Sequence, residues 1–239
     1  MSLSNQVILV TGANRGIGAA TVRALLTHDV KKVYAAARNP ASLPDFADPR
    51  VVPLALDITN EAQVTAVAEA AGDVDIVVNN AGTAVFSDVL NSPLDVVAAD
   101  FDTNLYGTLR VMRAFAPKLV AKGSGTIANV ISVVGLVAAA SLGGYSASKA
   151  ALLSVTQSAR AGLKGTGVKV LGIFPGPIDT DLARDIPMQK ATPETAAKRI
   201  VEGLQAGEEY IFTDPVADHI GDTWRTNAPA LEAAMAGAE

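Results

Sequence analysis

The chain has no cysteine in 239 residues, which excludes disulfides, thiolate catalysis and cysteine-ligated metals and permits a reducing compartment. Histidine is nearly absent as well. His28 and His219 have no cysteine beside them and read as surface or capping groups, so no metal is expected. Aromatic residues make up only 5% of the chain, and alanine and valine dominate its 49% hydrophobic share. That composition suits a sheet covered on both faces by closely packed helices. The net charge of −5 comes with no basic block, so neither nucleic acid nor an anionic membrane surface is an expected partner. No apolar run approaches a membrane span, and the first residues do not place a basic segment before an apolar one, so a cytoplasmic location is expected.

What is present is a regular alternation of short apolar runs and helical patterns over one chain-long domain, 1–239. Strands are expected near Gln6–Val10, Lys32–Ala37, Val51–Leu56, Val74–Val78, Gly125–Ile131, Val168–Phe174 and Glu209–Phe212. Between them, helices are expected near Gly16–Thr27, Glu61–Ala71, Pro93–Ala121, Tyr145–Gly165 and Pro193–Ala206, with a helical tail over 215–239. Strict alternation implies parallel strands joined by right-handed crossovers, hence a Rossmann-type doubly wound sheet of about seven strands with helices on both faces. Ligands in such sheets bind outside the carboxyl ends of the strands.

The first of those ends carries Thr11-Gly-Ala-Asn-Arg-Gly-Ile-Gly18. Gly12 allows a tight turn out of the strand, Gly16 lets backbone approach a diphosphate, and Gly18 lets the helix pack against the sheet. The helix N-terminus then offers free N–H groups and a partial positive charge to phosphate. The second strand ends Ala37-Arg38-Asn39 with no carboxylate at its tip, where a dinucleotide fold selecting an unphosphorylated ribose would place one. Arg38, with Arg15 in the glycine turn, instead suits a 2′-phosphate and favours NADP over NAD. Asp57, after the third strand, reads either as a helix cap or as an adenine contact.

Another strand end and the helix after it hold reactive groups. Ser132 follows the fifth strand, and Tyr145 opens a helix on which Lys149 lies one turn later on the same face. An ammonium near a phenol favours phenolate, so this spacing predicts a lowered tyrosine pKa and a usable proton donor and acceptor.

Together, Thr11-Gly12-x-x-x-Gly16-x-Gly18, Asn79-Asn80-Ala81-Gly82, Asn104-x-x-Gly107, Ser132, Tyr145-x-x-x-Lys149 and Pro175-Gly176-x-x-x-Thr180 resemble the short-chain dehydrogenase/reductase superfamily in order and spacing. The resemblance runs from about residue 6 to 180. It implies a catalytic set of Asn104, Ser132, Tyr145 and Lys149, with Tyr145 protonating a carbonyl oxygen that Ser132 orients. Lys149 would lower the Tyr145 pKa and hold the nicotinamide ribose, and Asn104 would anchor a water. By the same resemblance Gly12, Asn14, Arg15, Gly16, Ile17, Gly18, Arg38, Asp57, Ile58, Asn80, Ala81, Gly82, Pro175, Gly176, Ile178 and Thr180 would bind NADP(H), with Asp57 at the adenine. The activity implied is hydride transfer between NADP(H) and an uncharged ketone or aldehyde, or its alcohol, in a homo-oligomer, dimer or tetramer.

The substrate loop, 181–192, is short, and the C-terminal tail departs from the family pattern. Phe86, Val133, Val134, Leu136, Val137, Leu142, Ile178, Leu182, Ile186 and Met188 are candidates for an apolar pocket, with Arg184 a cation nearby. Two other readings compete. One is a non-catalytic NADP(H) sensor on the same fold, and the other a serine hydrolase using Ser146, Asp179 or Asp214, and His219.

Overall fold

A computed structural model describes residues 2–184 and 188–237. Its framework is a single seven-stranded parallel sheet: β1 Val7–Thr11, β2 Lys32–Ala37, β3 Val51–Ala55, β4 Ile76–Asn79, β5 Gly125–Val130, β6 Val168–Phe174 and β7 Tyr210–Phe212. The spatial order is β3-β2-β1-β4-β5-β6-β7. Every expected strand is present, and the reversal of order falls between β1 and β4, which pair in register from Ile8↔Ile76 to Val10↔Val78.

Side chains alternate across each strand, and here both faces are buried. On one face Ile8, Val10, Val33, Ala35, Ile76 and Val78 pack with Val22 and Leu25 of α1 (Gly16–Leu26) and Ile200, Val201 and Leu204 of α6 (Pro193–Ala206). On the other, Val7, Leu9, Tyr34, Ala36 and Val77 meet Val64 and Val67 of α2 (Glu61–Ala70) and Val111 and Phe115 of α4 (Thr108–Lys122). Toward the far edge α5 (Gly143–Gly162) and α7 (Pro215–Ala236) close a third cluster around Ile131, Leu152, Phe174 and Phe212. Among the described residues no helix is long and apolar enough to cross a membrane.

Two helical expectations are corrected. The pattern over Pro93–Ala121 reads as one helix, and the backbone does stay helical from Leu94 to Lys122, but a wide π-type turn over Asp102–Gly107 separates α3 (Leu94–Phe101) from α4. The wide turn is where Asn104 hydrogen-bonds the main chain of Thr83 and where Gly107 lies against Ile58, close enough that a Cβ would sit 2.8 Å from that side chain. The tail is helical but broken at Asn227 (φ −157, ψ 70), whose side chain accepts from Ala230 N–H and so starts the second half.

Candidate active site

The carboxyl ends of the strands surround a cavity of about 940 Å³. Its β1 side is built from backbone. Gly12 and Gly16 adopt φ of +64° and +51°, and a Cβ on Gly18 would lie 2.2 Å from the Gly12 carbonyl oxygen. Asn80 fastens this turn from β4, donating through Nδ2 to the carbonyls of Thr11 (2.9 Å) and Gly12 (3.0 Å). In return, Thr11 Oγ1 accepts from the N–H groups of Asn80 and Ala81, both at 3.0 Å. No side chain caps the start of α1, so its first N–H groups face the cavity beside the glycines. This cradle, with space no Cβ could enter and uncapped donors around it, fits a dinucleotide diphosphate.

The predicted cofactor residues divide by environment. Asn14, Arg15, Ile17, Arg38, Asp57, Ile58, Ala81, Gly82, Pro175, Gly176, Ile178 and Thr180 all line the cavity; Gly18 lies behind the turn as packing. Arg38 is exposed at the tip of β2, whereas Arg15 pairs with Asp181 at 2.8 Å. Asp181 also pairs with Arg184. Asp57 does not cap α2: Asn60 does, accepting from Gln63 N–H at 3.1 Å. The Asp57 carboxylate instead accepts from the hydroxyl (2.7 Å) and N–H (2.9 Å) of Thr59, which hold it below the usual carboxylate range.

Across the cavity, Ser132 follows β5 at φ +139°, a conformation that costs a non-glycine residue on the order of 1–3 kcal/mol. Its hydroxyl lies 3.3 Å from the Pro175 carbonyl. Tyr145 and Lys149 stand one turn apart on α5, with Lys149 Nζ donating to the Val130 carbonyl at 2.9 Å and lying 5.6 Å from the Tyr145 ring centre. Burial pushes the Tyr145 phenol up to about 12, against a downward pull from its hydrogen bond with Ser132. Spacing alone predicts a lowered value, but burial outweighs it. Burial also lowers Lys149 to about 8, against the opposing charge of Asp100.

Asn104 is fully buried, and its side chain is engaged: Oδ1 accepts from Thr83 N–H, while Nδ2 donates to the Thr83 carbonyl and to Ser148 Oγ. The Pro175-Gly176 turn is fixed by Asp214, which accepts from Gly176 N–H at 2.8 Å and caps α7 through Ala217 N–H at 3.0 Å.

The hydrolase arrangement finds no support. Ser146 Oγ accepts from Ala139 N–H, Asp214 is engaged as just described, and His219 is exposed.

Of the expected apolar wall, Phe86, Val133, Val134, Leu142, Ile178, Leu182 and Met188 line the cavity. Leu136 and Val137 belong to the core near α5 instead, and Ile186 lies outside the described residues. Arg184 is held by Asp181 at the exposed rim. Sequence reasoning missed Val216, Ile220 and Met235 of α7, which complete the wall, and the glycines that dock α5. A Cβ on Gly144 would lie 2.3 Å from the Val97 carbonyl, so only glycine lets the helix start so near α3. The pair Gly143-Gly144 before Tyr145 was the available signal.

A fold with its ligand cleft at the β1–β4 reversal and a Ser-Tyr-Lys cluster facing it defines a class of nicotinamide-linked oxidoreductases. The model of the short chain dehydrogenase family matches residues 6–191, and the chain belongs to that family. It is 33% identical to an uncharacterised oxidoreductase of Staphylococcus saprophyticus over 86% of this chain and 93% of the relative. Among solved structures, a short chain dehydrogenase from Burkholderia cenocepacia in complex with NADP superposes with a TM-score of 0.93 at 38% identity, covering 98% of this chain and 99% of that one. A short chain dehydrogenase/reductase from Burkholderia phymatum in complex with NAD gives 0.87 at 25% identity, covering 98% and 96%.

Proposed function

We propose that this oxidoreductase is an NADP(H)-dependent carbonyl reductase that acts in reverse as an alcohol dehydrogenase. The observation that carries the reading is the convergence of Ser132, Tyr145 and Lys149 on one cavity that also holds the glycine cradle. A bound nicotinamide supplies or accepts the hydride. The chain's own groups handle the oxygen and the proton. Ser132 Oγ and the Tyr145 hydroxyl together hold a carbonyl oxygen, and Tyr145 delivers its proton as negative charge develops there. A phenol raised to about 12 is protonated throughout the neutral range, the form that reduction needs. Lys149, 4% exposed, sets a positive charge behind the phenol and offers its Nζ toward a ribose.

Preference for NADP rests on Arg38, a planar cation at the tip of β2 where no carboxylate stands, and the NADP-bound relative at 38% identity supports it. Arg15, which spends one guanidinium nitrogen on Asp181, keeps further donors that could join phosphate recognition. The wall of Phe86, Leu142, Leu182, Met188 and Met235 suits an uncharged, apolar ketone or aldehyde. The test is reduced-nicotinamide absorbance with NADPH or NADH across aliphatic, aromatic and bulky carbonyls. Faster turnover with NADPH is expected. Tight NADPH binding with no turnover on any member of the panel overturns the catalytic reading.

A further inference from the structure

A buried acid lies beside the Tyr145–Lys149 pair, and the chemistry above makes no use of it. Asp100, in the last turn of α3, is 1% exposed. One carboxylate oxygen accepts from Thr83 Oγ1 at 2.7 Å and the other from Val85 N–H at 2.9 Å. One turn further on, across the start of the π-type turn, Asn104 binds both main-chain groups of Thr83 and reaches Ser148, the neighbour of Lys149. The segment that leaves Gly82 is thereby held from two sides. The Val85 N–H can only donate and the Thr83 hydroxyl turns to donate as well, so the carboxylate accepts on both oxygens.

Burying a carboxylate costs several kcal/mol unless a charge or strong hydrogen bonds compensate it. Among the described residues Asp100 forms no ion pair within contact distance. Lys149 Nζ lies 3.6 Å from where a Cβ on Gly82 would stand, and Gly82 adjoins Thr83, whose hydroxyl Asp100 holds, so the field of that carboxylate falls on the start of α5, where the titratable groups are Tyr145 and Lys149; Arg160 stands about three turns further along the helix. The segment it holds, Thr83-Ala84-Val85, has none, and on its own side Asp95 and Asp102 are exposed, with Asp102 paired to Arg110.

We infer that Asp100 is a positioning residue of this site: its carboxylate clamps Thr83–Val85 beside Asn104 and supplies the buried negative charge that balances the Lys149 ammonium. Its effect on turnover rests on the oxidoreductase reading, while its effect on Lys149 does not. In the same direction, its charge favours the protonated forms of both Lys149 and Tyr145.

The test compares Asp100→Asn with Thr83→Val, which removes one arm of the clamp and keeps the charge. Lys149 Nζ is titrated by NMR in lysine-labelled protein, with its signal assigned by loss in Lys149→Met, and no substrate is needed. Asp100→Asn is expected to move the Lys149 midpoint to lower pH, to shift the rise of alcohol oxidation the same way, and to cut kcat about tenfold or more. Thr83→Val should lower kcat less and leave the Lys149 midpoint in place. One unchanged Lys149 midpoint across wild type and both variants overturns the proposal, whatever happens to turnover. If Asp100→Asn does not fold, Asp100→Glu keeps the charge and displaces the arms. There a held midpoint with reduced kcat supports the proposal, and a lowered midpoint overturns it. Wild-type protein without nicotinamide-dependent turnover removes the proposed function and leaves the Lys149 result readable.

Discussion

The two sides of the cavity are made of different material. On the β1 side the shape is set by backbone, with Gly12 and Gly18 too close to neighbouring main chain for a Cβ, Gly16 at a φ of +51° that favours glycine, and Asn80 bonded to two carbonyls of the turn. On the substrate side it is set by apolar side chains at the rim, Phe86, Leu182 and Met188, which are 48%, 40% and 52% exposed. A surface of main chain tolerates almost no substitution and recognises one ligand geometry. A surface of loosely covered side chains accepts exchange and can serve many substrates. Ser132, Tyr145 and Lys149 stand between the two and belong to neither.

Four substitutions break or sharpen this contrast. The largest effect is expected from Tyr145→Phe, which leaves both walls intact and removes the proton: kcat should fall about 10²- to 10⁴-fold with cofactor affinity retained, as a binding titration beside steady-state rates will check. In the wild type, alcohol oxidation should rise with pH, because a phenol raised to about 12 must give up its proton first. Next is Gly18→Ala. Its Cβ would meet the Gly12 carbonyl oxygen at 2.2 Å, and the shift required should lower stability by about 1–3 kcal/mol and weaken cofactor binding, read by thermal unfolding and titration. Arg38→Asp should weaken NADPH by roughly ten- to a hundredfold, the loss of one charge-assisted contact of about 1.5–3 kcal/mol, and barely change NADH. An equal effect on both would remove Arg38 from phosphate recognition. The smallest is Met235→Ala on the side-chain wall, which should alter kcat/KM for bulky against small ketones by about fivefold, on the order of 1 kcal/mol, with cofactor binding untouched.

The same contrast explains what could be read in advance. The glycine turn, Asn80 and Tyr145-x-x-x-Lys149 are legible because backbone geometry and one helical turn tie function to residue type at fixed local spacing. All seven strands were legible for the same reason, since their apolar runs and the turns between them are local. The π-type turn between α3 and α4 was not, because its residues continue the apolar period of a single helix and the widened turn goes with contacts of Asn104 and Gly107 to distant segments. Met235 could not be placed in the wall, since its position depends on the break at Asn227 and on the path of the whole tail. The direction of the Tyr145 shift was missed because spacing gives the neighbour and burial gives the sign.

The joint between β1 and β4 has a bearing on how the protein lasts. The strands β1 to β3 bring the glycine turn, Arg38 and Asp57, while β4 to β7 bring Ser132 and the Pro175–Thr180 turn; the two groups pair only where β1 meets β4, through contacts such as Asn80 with Thr11, 69 residues apart. Pairings of such long range carry a large loop-closure entropy and slow folding. A dinucleotide laid along the cleft would span both halves and have a complete site on neither, so it would act as a clasp across the pairing of longest sequence separation in the sheet. At a hundredfold excess over its Kd such a ligand adds about 2.7 kcal/mol to the folded state. Saturating dinucleotide is therefore expected to raise the thermal unfolding midpoint of the protein.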